Sequence, residues 1–201
     1  MKIGIIGAGN IGKAFARHAA QAGYTVVISN SRGPESLADI VQEIGHGIQA
    51  VTTDEAIQAD VIFLAVNWKQ VPEVVSNVNQ WNGKIVIDPT NAIAFPQFKP
   101  LDLGNKTSSE IIAELIPGAR VVKAFNTLPA ALLAADPNDS NGKRVVFISG
   151  NDAEAKNIVK EIANRIGFAD IDLGDLSQGG KIQQFGGPLP ALNLIKLESK
   201  Y

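Results

Sequence analysis

Lys2-Ile3-Gly4-Ile5-Ile6-Gly7-Ala8-Gly9-Asn10-Ile11-Gly12-Lys13 is the stretch that decides the fold of this chain. A short β-branched run enters a G-x-G-x-x-G turn. Beyond it Ile11, Ala14, Phe15, His18, Ala19 and Ala22 recur at helical spacing on one face. Strand, glycine turn and helix in that order open a dinucleotide-binding βαβ unit. Gly7 permits the tight turn, Gly9 lets backbone amides approach a pyrophosphate, and Gly12 allows the helix to pack closely on the sheet. The helix N-terminus adds partial positive charge for the same anion.

Outward from that unit the alternation repeats. Residues 25–28, 61–66, 85–87, 120–125 and 144–149 are β-branched and nearly continuous, as expected of strands covered on both faces, and residues 48–51 form a weaker candidate. Gly23 stands where the first helix should end, and Pro34 suits the first position of a helix reaching about Ile44. Thr52 with Glu55 and Thr107 with Glu110 have capping-box spacing. Asn151 is expected to cap a helix with the core stripe Ala155, Ile158, Val159, Ile162 and Ile166, closed by Gly167. Residues 89–100 and 138–142 read as loops, and from Gly174 the chain turns glycine-rich, with one apolar stretch at 191–197. The expected fold class is α/β: a doubly wound, mainly parallel Rossmann sheet with a small C-terminal extension, as one domain over residues 1–201.

Composition narrows the chemistry. Of 201 residues, 45% are hydrophobic and 19% charged, which supports one buried core; a net charge of -2 without long charge runs argues against nucleic acid and a polybasic membrane patch. With no cysteine, thiolate catalysis, thiolate metal sites and disulfides are excluded. The apolar start is too short for a signal-peptide core and no apolar run approaches a membrane span, so a cytoplasmic protein is expected.

A site for unphosphorylated NAD places an acid about 20 residues past the glycine turn, on the ribose 2′-hydroxyl. Here that place reads Ser29-Asn30-Ser31-Arg32, and the first acid is Glu35. Ser31 can donate one hydrogen bond and Arg32 a charge-assisted one to a 2′-phosphate, so NADP is the expected nucleotide; a merely solvated Arg32 would leave either nucleotide acceptable.

Proton chemistry is poorly supplied. His18 falls on the buried side of the first helix, and His46, in Gly45-His46-Gly47, falls at the edge of the sheet opposite the cofactor crevice. Lys123 is the remaining candidate donor, with a structural role as its alternative. Two separated histidines assemble no convincing metal site. By elimination, hydride passes directly to a second organic cofactor. Segments leaving later strands would then line the crevice: Val66, Asn67 and Trp68, then Asn91 and Ala92, then Phe125 to Ala130. Core packing is the alternative for Trp68 and Phe125.

The glycine turn, Ser31-Arg32, Val122-Lys123-Ala124-Phe125-Asn126-Thr127, Gly150-Asn151-Asp152 and the tail from Gly174 to Pro188 together resemble the NADP oxidoreductases that use the deazaflavin coenzyme F420. They are also similar to the NADPH-binding domain of the STEAP metalloreductases. The resemblance implies hydride transfer between NADP(H) and F420, or a flavin such as FMN or FAD. It further implies a C-terminal part, from about residue 150, that helps close the acceptor cleft, and a homodimer. By position Ala8, Gly9, Asn10 and Ile11 would hold the pyrophosphate and Ser31 with Arg32 the 2′-phosphate, beside Asn30. Asn126 and Ala130 would lie near the nicotinamide. Ser36 stands where the family often has lysine, and Asn126 where the deazaflavin enzymes have histidine and the metalloreductase domain asparagine. Two other functions remain open at this point: a small imine or ketoacid reductase with Lys123 as donor, and a nucleotide-occupied sensor without turnover.

Overall fold

A computed structural model of the chain describes residues 1–76, 78, 81–139 and 141–197. The first half runs β1 (Lys2–Ile6), α1 (Asn10–Gln21), β2 (Thr25–Ser29), α2 (Ala38–Ile44), β3 (Gln49–Ala50), α3 (Thr53–Ile57), β4 (Val61–Leu64) and α4 (Val71–Ser76). Then follow β5 (Ile85–Asp88), the short strands β6 (Ile93–Ala94) and β7 (Lys99–Pro100), α5 (Ser108–Leu115), β8 (Arg120–Ala124) and α6 (Ala130–Ala134). The last third holds β9 (Asn138–Asp139), β10 (Gly142–Gly150), α7 (Ala153–Arg165), β11 (Ala169–Asp172), α8 (Gly179–Gln183) and β12 (Ile195–Leu197).

The main sheet has the order β11-β10-β8-β5-β4-β1-β2-β3. From β3 to β8 every pair is parallel. Side chains alternate between two cores because successive strand residues point to opposite faces. Ile3, Ile5, Val26, Ile28 and Phe63 join α1, α2 and α7 on one side. Ile6, Val27, Ile62, Leu64 and Val86 join α3, α4 and α5 on the other. Burial on both faces accounts for the continuous apolar runs in the sequence. Phe15 of α1 stacks on Phe63 with ring centroids 3.9 Å apart, and Phe125 meets both rings edge-on.

The mainly parallel sheet agrees with the sequence, apart from its last strands. β10 runs antiparallel to β8, with Ile148 opposite Ala124 and Gly150 opposite Val122. Its first residues therefore overhang the edge where β8 ends, and there Gly142 to Arg144 pair with β12. An apolar run carries no information about strand direction; the connection from β8, holding α6 and β9, leads into an antiparallel neighbour.

Local expectations meet mixed outcomes. Both capping boxes form, Thr52 with Glu55 and Thr107 with Glu110. The cap of α7 is Asp152, whose side chain accepts from the Ala155 amide at 2.7 Å, because Asn151 instead accepts from the Leu176 amide. The segment begun by Pro34 is a 3-10 turn to Leu37 before α2. The expected loops at 89–100 and 138–142 contain β6, β7 and β9. Most of the apolar 191–197 stretch stays at the surface: Leu192, Leu194 and Leu197 are exposed, and only β12 pairs.

Candidate functional site

A cleft of about 1000 Å³ opens at the ends of β1, β2, β4 and β5. Gly7, Ala8, Gly9, Asn10 and Ile11 form the wall after β1, and Asn30, Ser31 and Arg32 the wall after β2. Ala65 to Gln70 follow β4, while Pro89, Thr90, Asn91, Ile93 and Phe95 follow β5. Parallel strands whose connections fold to opposite faces leave such a crevice beside their carboxyl ends.

The glycine turn is built by close backbone approaches. A Cβ on Gly7, which has a φ of +106°, would lie 2.2 Å from the Ala65 carbonyl oxygen; one on Gly12 would lie 2.0 Å from the Gly7 carbonyl oxygen. Gly12 is buried and faces no cavity, so its part is to bring α1 onto the sheet. Gly9 differs, because a Cβ there would meet nothing within 4 Å. As N-cap of α1 it offers no side-chain cap, and the first turn carries no acid. The Lys13 amide is the first to close on the Gly9 carbonyl, at 2.9 Å. The amides of Asn10, Ile11 and Gly12 precede it and have no intrahelical acceptor. An open floor, donor amides and a positive helix end fit a pyrophosphate.

Beyond β2, Asn30 is the organiser. Its Oδ1 accepts from the Arg32 amide at 2.9 Å, and its Nδ2 donates to Ser36 Oγ at 2.9 Å. Ser36 Oγ donates to the Gly33 carbonyl at 2.7 Å. Ser36 thus closes the turn that presents Ser31 and Arg32, whose side chains are exposed. Sequence reasoning missed Lys69, exposed on the 3-10 turn Trp68–Gln70 at the cleft wall, although the capping-box spacing of Asn67 and Gln70 marks that turn. Arg32 and Lys69 follow β2 and β4, the two neighbours of β1, so positive charge flanks the glycine turn on both sides.

Two of the expected nicotinamide neighbours lie away from the cleft surface. Asn126 is buried, with Nδ2 donating to Asn91 Oδ1 at 3.1 Å and to the Gln183 carbonyl at 2.6 Å. Ala130 begins α6 and does not line the cleft, and Ala92 is buried behind its wall. Val66, Asn67 and Asn91 do line it. Trp68 also reaches the cleft, whereas Phe125 belongs to the core.

Lys123 is wholly buried. Its Nζ donates at 3.1 Å each to Asp88 Oδ2, the Thr90 carbonyl and Ser108 Oγ. Asp88 also accepts from the Thr90 amide and hydroxyl and from Ser109 Oγ. Every donor of the ammonium is engaged in pinning β5, β8 and α5 together, so the lysine is a structural group and no proton donor to the cleft. His18 is likewise a core residue: its Nε2 donates to the Leu133 carbonyl at 2.8 Å, and burial holds its pKa below the ordinary value. His46 is exposed in the turn before β3. The titratable side chains on the cleft are Arg32 and Lys69, both cations.

The family model described as NADP oxidoreductase coenzyme F420-dependent matches residues 2–92. A hypothetical protein from Sinorhizobium meliloti, known from a crystal structure, is 52% identical with a TM-score of 0.93, covering 98% of this chain and 96% of that one. Metalloreductase STEAP3 of Rattus norvegicus is 33% identical over 183 residues, 90% of this chain but 36% of the rat protein, so the chain spans little more than a third of that relative's length. The F420-dependent NADP reductase of Methanocaldococcus jannaschii is 28% identical over 217 residues, 100% of this chain and 95% of the relative.

Proposed function

We propose that this chain, whose residues 2–92 match the family model described as NADP oxidoreductase coenzyme F420-dependent, transfers hydride between NADP(H) and a planar ring acceptor, either F420 or a flavin such as FMN or FAD. The observation that carries the reading is the character of the cleft: a glycine cradle between two cations, with aromatic side chains on its walls and, among the described residues, no carboxylate, imidazole or phenol. A hydroxyl or imine substrate asks for a positioned acid or base beside the reacting carbon, and a ring that accepts hydride asks only for orientation and exclusion of water.

Each residue then has a defined part. Gly7, Ala8, Gly9, Asn10 and Ile11 bind the pyrophosphate through backbone amides. Asn30 holds the turn on which Ser31 and Arg32 bond the 2′-phosphate, with Lys69 adding charge from the opposite flank. Val66, Asn67 and Asn91 border the ribose and nicotinamide, with Trp68 and Phe95 at the walls. The dinucleotide, when bound, supplies the hydride.

The test is turnover: purified protein with NADPH and, separately, F420, FMN and FAD, following loss of NADPH absorbance. Oxidation with at least one ring supports the reading, and tight NADPH binding without turnover on any of them overturns it in favour of a sensor. Two copies assemble in this reading, supported by the exposed Leu192, Leu194 and Leu197, and light scattering on the eluted protein checks it. Among the described residues no helix is long and apolar enough to cross a membrane.

A further inference from the structure

Behind the cleft wall lies a chain of side-chain amides of which the hydride-transfer reading uses only Asn91. Gln183, at the end of α8, is completely buried. Its Nε2 donates to the Lys123 carbonyl at 3.0 Å and to Asn126 Oδ1 at 3.1 Å, and its Oε1 accepts from Ser149 Oγ at 2.7 Å. Asn126 passes the connection on: its Nδ2 donates to Asn91 Oδ1, and Asn91 Nδ2 donates to the Asn126 carbonyl at 2.8 Å. Asn91 Oδ1 also accepts from the Phe185 amide at 3.1 Å. All four polar positions of these linked amides that face one another are satisfied, so none can rotate alone.

The far end of this chain is an aromatic wall. Phe185 meets Phe98 edge-on with centroids 5.1 Å apart, and Phe98 meets Phe95 at 5.9 Å. Phe95 lines the cleft, and both Phe95 and Phe98 are 59% exposed. Phe95 on the cleft wall and Phe98 beside it, left that open, are surface for a planar partner. Two glycines let α8 come close enough to anchor them: a Cβ on Gly179 would lie 2.5 Å from Ser149 Oγ, and one on Gly180 3.2 Å from Thr107 Oγ1.

We infer that Gln183 is a positioning residue for the acceptor: through Asn126 and Asn91 it fixes Phe185, and with it Phe98 and Phe95, as the seat of the acceptor ring, while leaving the pyrophosphate and 2′-phosphate walls of the cleft unaffected. The inference rests on the ring-acceptor reading above. Gln183→Met keeps the length of the side chain and removes its three side-chain hydrogen bonds, while the backbone carbonyl that accepts from Asn126 Nδ2 stays. The experiment titrates NADP⁺-saturated protein with FMN and with F420, following ring fluorescence, and separately titrates NADPH. Weaker ring binding by about tenfold in Gln183→Met, with NADPH binding changed less than about twofold, is the expected result, since about 1.4 kcal/mol corresponds to tenfold. Ser149→Ala, which removes only the donor to Gln183 Oε1, should show the same asymmetry more weakly.

Ring binding that stays at the wild-type level in folded Gln183→Met overturns the positioning role alone, as does an equal loss for ring and nucleotide. Wild-type protein that binds NADPH but neither ring overturns the ring-acceptor reading together with it. Should Gln183→Met not fold, Phe98→Ala carries the test, because that side chain is exposed and its removal spares the core. It must weaken ring binding without touching NADPH, and an unchanged ring affinity refutes the aromatic seat.

Discussion

Replacing Lys123 by methionine should lower stability strongly without abolishing hydride transfer in the molecules that remain folded. The ammonium and the Asp88 carboxylate are both wholly buried, 3.1 Å apart, and each end has further partners in Thr90, Ser108 and Ser109. Methionine fills the space of the lysine stem but leaves Asp88 without its counter-charge and the Thr90 carbonyl and Ser108 hydroxyl each short of a partner. Removing one member of a buried pair costs about 3–5 kcal/mol. For a domain of this size about 1 kcal/mol moves Tm by roughly 2–4 °C, so a fall of roughly 10 °C is expected. The assays are thermal melting by circular dichroism and, below the variant's transition, NADPH oxidation per folded molecule. Asp88→Asn should also destabilise, by leaving the lysine charge unpaired. A melting temperature within a degree or two of wild type would refute the structural assignment. So would a stable variant that binds NADPH normally and has lost turnover, since that pattern belongs to a proton donor.

Other consequences follow from the cleft and the core. Arg32→Ala should weaken NADPH by about tenfold and NADH hardly at all, the lower end of what a charge-assisted bond contributes because the side chain is exposed; equal losses in a binding titration would show that it does not read the 2′-phosphate. Gly9→Ala should fold and melt normally, because its φ of -74° suits alanine and its Cβ meets nothing, yet bind both nucleotides more weakly. Gly12→Ala should instead cost about 1–3 kcal/mol of stability in denaturant titration through its clash with the Gly7 carbonyl. His18 gives a pH signature: burial depresses its folded pKa below its ordinary 6.5, so the unfolded chain takes up the proton first. Its contribution is present above about pH 6.5 and is lost as pH falls through the depressed value, and His18→Gln should flatten that limb of a stability-against-pH curve.

The sheet and the glycine turn were legible because each is a local pattern with one physical cause. Continuous β-branched runs mean strands covered on both faces, and the spacing of Gly7, Gly9 and Gly12 has one backbone geometry that uses all three. What sequence missed depends on partners far along the chain. Asn151 and Asp152 are equally good caps by residue type; the choice was made by Leu176, whose amide engages Asn151. Lys123 at a strand end is a donor candidate until Asp88, 35 residues earlier, is seen to meet it. Asn126 carries an amide well suited to a nicotinamide, but Gln183, 57 residues on, engages both of its side-chain atoms.

The reversal of β10 connects these long-range facts. Had it continued the parallel order, its first residues would have lain at the amino edge of the sheet, and a helical crossover would have been needed to reach them. Running antiparallel, it overhangs the end of β8 and brings Ser149 beside Lys123, so that residues following β11 return to the cleft side of the sheet. Gly179 and Gly180 then admit α8 against Ser149 and Thr107, and Gln183 reaches the turn after β8. The C-terminal segment is thereby tied through Asn126 and Asn91 to the wall that follows β5. Half of the cleft is formed by the first βαβ unit alone, the half with the glycine turn. The other half, with Phe95 on its wall and the Phe98 and Phe185 rings that back it, depends on amide contacts made by the last third of the chain, so perturbing that third should alter the choice of acceptor before it alters the choice of nucleotide.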